Sequence, residues 1–291
     1  MRVIHCVTAT AVALLTAAAP AQAANSSLTS LTESQTFPAI QSTIKYTKVS
    51  TTKASGQGNY ARATSSVIYD KATNSYILRD TGNTALKSTF DLDNADASST
   101  AEFTVVKHGA NESLRIYNPG ATIQGIALTY TGYGQWRRTG TPAYGTGTAV
   151  NDTYFVYGLK TPSASMPTTG GASYTTALDG TYANKTGVYA ITGTGNLAAD
   201  WGARSLTYSA TLAGSREGDS AALAGLGALT GGIGTIGSRG SSFQSRTSAT
   251  GGGYSLGVMG YFFGPAANEV GGVFRLTGNG GNGQGAMVGK Q

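Results

Sequence analysis

The stretch Tyr261-Phe-Phe-Gly-Pro-Ala-Ala-Asn-Glu-Val-Gly-Gly-Val-Phe274 decides how this chain folds. Its two apolar runs flank a loop, Gly264 to Asn268, whose Gly-Pro pair and Asn are turn residues. Leu256, Val258 and Phe262 share one side of the first run, and Val270, Phe274 and Leu276 share one side of the second. A β-hairpin brings these rows onto one face, because successive side chains of a strand point to opposite faces. Gly257, Gly260, Gly271 and Gly272 lie among them. Glycine weakens a strand, so its repetition here points to a sheet that curls tightly or meets another backbone closely, as the wall of a small barrel does.

Working outward from the hairpin, strand-like stretches begin near Tyr174, Val188, Ser205, Leu226, Ser241, Tyr254, Glu269 and Gly285. About eight antiparallel strands are what a barrel needs if its interior is to be filled by side chains or to hold one small ligand, and closure removes exposed edges. The run Gly225-Leu-Gly-Ala-Leu-Thr-Gly-Gly-Ile-Gly234 lacks the Lys-Ser/Thr and following helix of a phosphate loop, and reads as a barrel strand with glycine kinks.

Composition agrees with an all-β chain. The 42 glycines lack a collagen period and sit among Thr, Ser, Tyr and Val, while helix-type apolar spacing is almost absent after the start. With 12% charged residues and a formal charge of +6, the basic excess is thinly spread, and no Lys/Arg run suits nucleic acid. Residues 1–23 read as a signal peptide: Arg2, an apolar Val7 to Ala19, and Ala21-Gln-Ala23 for cleavage. That apolar run is shorter than the ~18 residues of a spanning helix, and no later segment qualifies. Cleavage near Ala23 removes Cys6, His5 and Arg2, leaving 19 of the 20 Lys and Arg against 14 Asp and Glu, a net +5, and His108 as the one imidazole. The expectation is a mature chain in the medium, on the cell surface or in the periplasm, with no disulfide, no cysteine nucleophile, no multi-histidine zinc site and no lipid-bearing cysteine, hence not a lipoprotein.

Along the mature chain, residues 24 to about 42 read as a loose Ser/Thr-rich lead-in ending in a strand through Ile44, Tyr46 and Val49. Ser66–Tyr69 and Ser75–Leu78 form a hairpin across Asp70–Asn74. Phe90 to Ser99 reads as an acidic loop; its Asp91, Asp93 and Asp96 lack the central Gly and distant Glu of a calcium-binding EF-hand, which favours a solvated loop. Short strands follow over Ala101–Lys107 and Leu114–Tyr117, then aromatic ones over Ile126–Trp136, ending in Arg137-Arg138, and Asp152–Tyr157. Thr161-Pro-Ser-Ala-Ser-Met-Pro-Thr-Thr-Gly-Gly171 has the prolines and glycines of an inter-domain linker. The expected division is a β-rich domain at 24–160, a linker at 161–171 and a barrel at 172–291.

Several segments carry a family resemblance: Leu128-Thr-Tyr-Thr-Gly-Tyr-Gly-Gln-Trp136, Tyr154-Phe-Val-Tyr-Gly158, Met166-Pro-Thr-Thr-Gly170 with Tyr174 and Gly180-Thr-Tyr182, Ala198-Ala-Asp-Trp-Gly-Ala203, the hairpin itself, and Gly285-Ala-Met-Val-Gly-Lys290. In these the chain resembles transferrin-binding protein B and its relatives, in a single-lobe form. The resemblance implies an irregular β handle domain followed by an eight-stranded antiparallel up-and-down β-barrel. It further implies a non-enzymatic binding protein of iron or haem acquisition, with the ligand held by the handle and passed to a TonB-dependent outer-membrane receptor, and export linked to a surface-lipoprotein translocon. Anchored members carry a lipobox cysteine that is missing here, and soluble single-lobe relatives are haemophores.

Under that resemblance haem is the one cofactor to consider. His108 is a candidate axial ligand, with a surface or structurally bonded histidine as the blander alternative. Tyr130, Tyr133, Trp136 and Tyr144 offer an aromatic wall or a tyrosinate, and Arg137 and Arg138 partners for propionates. The competing reading is that these aromatics pack handle against barrel. Glu269 reads as a carboxylate that accepts backbone N–H groups beside its loop. Two other functions stay open: an adhesion or host-protein-binding module without a small ligand, and a lipocalin-like carrier. An enzyme is disfavoured, because no Gly-x-Ser-x-Gly elbow accompanies His108, and Asp179, Asp200 and Asp219 are acids that any barrel's loops contain.

Overall fold

The computed structural model describes residues 25–58, 62–79, 86–238 and 240–291, so the expected signal peptide lies outside the described residues. The first half forms β1 (Gln35–Ser50), β2 (Lys53–Gly58), β3 (Arg62–Asp70), β4 (Ser75–Arg79), β5 (Lys87–Asp91), β6 (Phe103–His108), β7 (Glu112–Tyr117), β8 (Thr122–Ile123), β9 (Ile126–Ala127), β10 (Thr131–Gly140) and β11 (Thr148–Gly158). The second half forms β12 (Gly171–Asn184), β13 (Gly187–Asp200), β14 (Ser205–Arg216), β15 (Ala228–Ile236), β16 (Ser242–Thr247), β17 (Ala249–Gly251), β18 (Tyr254–Phe263), β19 (Glu269–Gly278) and β20 (Gly281–Lys290). Helical structure among the described residues is confined to two short 3-10 turns, Leu92–Asn94 and Ser163–Ser165. The protein is all-β.

The second sheet is the barrel. Its neighbours run β14-β13-β12-β20-β19-β18-β16-β15, and the pairing of β14 with β15 closes the ring, with β16 and β17 acting as one interrupted strand. The rows read from the hairpin meet as expected: Leu256 opposes Leu276, Val258 opposes Phe274, and Phe262 opposes Val270, and all six are fully buried. Tyr174, Leu178, Tyr182 and Met287 join them inside, so the interior is occupied by the protein's own side chains, which gives a lipocalin-like cavity no support. The hairpin glycines have separate reasons. A Cβ on Gly260 would stand 2.1 Å from the Gly271 carbonyl, where the strands press together, and a Cβ on Gly271 would stand 2.7 Å from Thr131 and Val156 of the first sheet. The kink read in β15 is also present, as a register shift between Tyr208 and Ala210 of β14 opposite a left-handed Gly231.

The handle sheet runs β5-β4-β3-β1-β11-β10-β7-β6 and coils until its edges meet, through a bridge between Ala95 and Val106. Phe37, Phe90, Trp136 and Tyr157 fill it. Here two local expectations are corrected. The lead-in is built rather than loose: Asn25 is buried, its Oδ1 accepting from the backbone of Thr32 and Glu33 and its Nδ2 donating to Gln35 Oε1, and β1 begins at Gln35 as a central strand. Ser and Thr hid this because their side chains say little about burial: Ile40, Ser42, Ile44 and Tyr46 form one buried row, and Phe37, Ala39 and Gln41 form a second on the opposite face. Likewise Phe90 is no loop residue but a buried member of β5; the polar turn starts only at Leu92, with Asp91 accepting from the Asp93 N–H.

The two sheets are pinned by carboxylates. Glu269, fully buried at the start of β19, accepts the backbone N–H groups of Thr129 (2.7 Å), Tyr130 (2.9 Å) and Thr131 (2.9 Å). Its expected role stands, although the donors come from the handle and not from its own loop. This capture also explains why the aromatic strand breaks into β9 and β10. Arg115 of β7 donates to Asp179 of β12 at 2.6 Å, and Arg137 of β10 joins Asp152 of β11 to Glu217 beyond β14.

Candidate binding site at the end of the handle sheet

β6 and β7 are joined by a tight loop, Gly109 to Asn111, in which Gly109 takes the left-handed φ of +65°. The loop is held in place by the Thr139 N–H, which donates to the Asn111 carbonyl at 2.8 Å. Across it His108 and Glu112 are register partners. The Glu112 carboxylate accepts from His108 Nδ1 at 2.8 Å, from Ser88 Oγ at 2.8 Å and from Trp136 Nε1 at 2.8 Å. Burial pushes its carboxyl pKa up, but the donors of His108, Ser88 and Trp136 outweigh burial and hold it below the usual range. Because a carboxylate only accepts, the proton of a neutral His108 sits on Nδ1 and the lone pair on Nε2.

The imidazole meets Phe90 edge-on at 6.1 Å, and its side chain is 60% exposed. It is therefore an exposed base, oriented by a half-buried acid and an aromatic wall. Arg138 lies opposite Glu112 in the β10–β7 register, with its guanidinium 4.4 Å above the Trp136 ring. Beyond β10, the loop 141–147 carries Tyr144, which is 92% exposed. His108, Arg138 and Tyr144 thus belong to one end of the sheet.

The other sequence candidates lie elsewhere. Trp136 is buried in the handle core and reaches the end only through its Nε1–H. Tyr133 is buried between the sheets, stacked on Tyr117 at 5.5 Å and clustered with Phe263 and Val273 of the barrel, and burial pushes its phenol well above the ordinary range. Tyr130 packs against the same cluster and the hairpin's Gly264. Arg137 is engaged by Asp152 at 2.7 and 2.8 Å and by Glu217 at 2.9 Å. The aromatic strand therefore supplies handle-to-barrel packing with Tyr130 and Tyr133, and only Arg138 of its arginines remains beside His108. The acids weighed for enzyme chemistry are engaged separately: Asp179 with Arg115, Asp200 with the Ala203 N–H, and Asp219 with Arg216. Of the acidic loop, Asp93 accepts from Asn74 and Asp96 pairs with Lys107 at 2.7 Å. No group of three His, Cys, Asp or Glu among the described residues is placed to hold a metal ion.

Glu112 and Ser88 were not evident as site residues from the sequence. A signal existed for Glu112: a Gly-containing loop bracketed by His108 and Glu112 places the two opposite each other once 103–117 is read as one hairpin. Ser88 had none, since it arrives from the far edge as the sheet coils.

No family model matches the chain, and no curated protein matches it. The chain is similar to several solved structures. One is transferrin-binding protein B from Haemophilus parasuis Hp5, as a Tyr-to-Ala, Trp-to-Ala double mutant, with 15% identity, 90% of this chain and 76% of that chain covered, and a TM-score of 0.39. A second is the N-lobe domain of lactoferrin-binding protein B of Moraxella bovis, with 14% identity, 87% and 99% covered, and a TM-score of 0.37. A third is described as a surface lipoprotein, with 13% identity, 86% and 98% covered, and a TM-score of 0.42. This third similarity corrects the expectation that the mature chain is not a lipoprotein. The absence of a cysteine just after Ala23 bears on one attachment position only, and residues 1–24 lie outside those described.

Proposed function

We propose that this chain is a non-enzymatic binding protein of iron or haem acquisition, organised as a handle (24–160), a linker (161–171) and a barrel (172–291). The handle holds the ligand at the His108 end and passes it to an outer-membrane receptor. The observation that carries this reading is the 2.8 Å contact between His108 Nδ1 and the Glu112 carboxylate. An imidazole whose Nδ1–H is tied to a half-buried carboxylate presents Nε2 as a lone pair to solvent, which is how proteins prepare a metal-ligating histidine. Haem iron fits this donor, and Arg138 supplies a cation beside it; Tyr130, Tyr133 and Arg137 are engaged between the sheets and do not join. The test is a hemin titration of the intact chain followed in the Soret region. A saturable shift that His108→Ala abolishes and Tyr133→Phe leaves intact supports the reading, whereas a spectrum unchanged from free hemin rejects it.

The exposure of Tyr144 favours a second reading, in which this end docks a protein surface without a small ligand. Tyrosine is enriched at binding hot spots because it adds large contact area at little entropic cost. Binding of transferrin or lactoferrin that is lost in Tyr144→Ala and kept in His108→Ala would favour it over haem.

A further inference from the structure

A second site lies away from the handle end, where the linker crosses the mouth of the barrel. The linker is strapped at both ends. Thr161 N–H donates to the Phe262 carbonyl at 3.0 Å and Thr161 Oγ1 to that of Gly264 at 2.7 Å, while the Gly170 carbonyl accepts from Trp201 N–H at 2.9 Å. Between the straps, Ser163 to Thr168 arch over the turns that follow β13 and β15, and enclose a cleft of about 550 Å³. That volume lies within the range of small-molecule sites.

The lining has two characters. Met166, Pro167, Trp201 and Ile236 give an apolar wall, and Met166 packs on the barrel core. Arg204 is the one charged residue among the described lining residues; it is exposed and held in the left-handed region at φ 52°. One of its N–H groups donates to the Gly237 carbonyl, which sets the guanidinium across the cleft and leaves its other donors free to act. The acid nearest in sequence, Asp200, accepts from the Ala203 N–H. Trp201 supplies an independent indication. Its ring is largely buried, at 6% exposed, and meets Phe262 edge-on at 5.0 Å, while its Nε1–H is accepted by no described residue and is not closed off from solvent. Such an indole N–H beside a cleft is a donor open to a ligand oxygen. Trp136, the chain's other tryptophan, is already engaged by Glu112.

We infer that this cleft binds a small monocarboxylate with an apolar body, such as a medium-chain fatty acid. Its carboxylate would lie on Arg204 and the Trp201 Nε1–H, and its chain against Met166, Pro167 and Ile236. A guanidinium beside a free N–H donor selects an anion with accepting oxygens, and the apolar wall selects what is attached to it.

The two tryptophans make the test direct. In the intact 15N-labelled chain, octanoate is expected to move the Trp201 indole N–H resonance saturably while that of Trp136 stays in place, which also reports that the fold is intact. Loss of one charge-assisted contact in Arg204→Gln should weaken octanoate at least about tenfold, roughly 1.4 kcal/mol, while Arg204→Lys keeps much of the affinity. The uncharged 1-octanol should bind weakly or not at all. A stationary Trp201 resonance up to about 10 mM octanoate overturns the inference. So does an Arg204→Gln chain that keeps the Trp136 resonance and binds octanoate as the parent does, or equal binding of octanol.

Discussion

Replacing Glu269 by alanine removes one carboxylate and leaves three backbone N–H groups, those of Thr129, Tyr130 and Thr131, facing an apolar seam between the sheets. An unsatisfied buried donor costs about 1–3 kcal/mol. The Thr131 bond is fully buried, whereas those of Thr129 and Tyr130 are part-buried and can recruit water, so the expected loss is about 3–5 kcal/mol. At about 2 °C per kcal/mol for a chain of this size, the melting temperature should fall by about 6–10 °C. Glu269→Gln separates charge from shape. Oε2 accepts from Tyr130 and Thr131, and Oε1 from Thr129, so an amide can keep the first pair but sets its NH2 against the Thr129 N–H. That should cost about 2 kcal/mol. The assays are calorimetry and amide hydrogen exchange, which should quicken at 129–131 in the alanine variant well before the barrel amides of β18 and β19 respond. A Glu269→Ala chain within about 1 kcal/mol of the parent, with exchange at 129–131 unchanged, would refute the view that this carboxylate fastens the two sheets.

Other predictions follow the same logic. Gly260→Ala, whose Cβ would stand 2.1 Å from a carbonyl oxygen, should cost more than about 3 kcal/mol in urea unfolding, whereas Gly257→Ala, with nothing nearer than Ser248 Oγ at 3.5 Å, should change stability by less than about 0.5 kcal/mol. Trp136→Phe removes the buried Nε1–H donor to Glu112 and should cost about 1–3 kcal/mol while loosening His108, seen as faster imidazole motion by NMR. Glu112 has a folded pKa below its unfolded one, so the stability it adds is present above about pH 4.3 and is lost as pH falls through the folded value. Urea midpoints between pH 3 and 6 should therefore fall less steeply toward acid in Glu112→Gln than in the parent. Asp152→Ala leaves Arg137 with Glu217 as its one acid, beside the Tyr46 hydroxyl, and should cost about 3–5 kcal/mol by thermal melting.

Much of the site was less legible than the fold. Tyr133 and Trp136 sit three residues apart in one strand, yet one lies between the sheets and the other inside the handle, because an odd separation in a strand sends side chains to opposite faces. That periodicity was available in the sequence; which face met the barrel was not. His108 stood out as the one imidazole after residue 23, but its orienting acid could be recognised only through the register of a short hairpin.

The sequence by itself determined the strands of the barrel and their closure. The rows at Leu256, Val258 and Phe262 and at Val270, Phe274 and Leu276, with the turn residues between them, are local signals written at a spacing of two. The tertiary structure alone decided where the charges go. Arg115 reaches Asp179 across 64 residues, Arg137 reaches Glu217 across 80, and Glu269 reaches Thr129 across 140. Alternation is imposed by backbone geometry within a few residues, so it survives in the linear chain. The partner of a buried carboxylate depends on how two coiled sheets dock, and no local spacing encodes that.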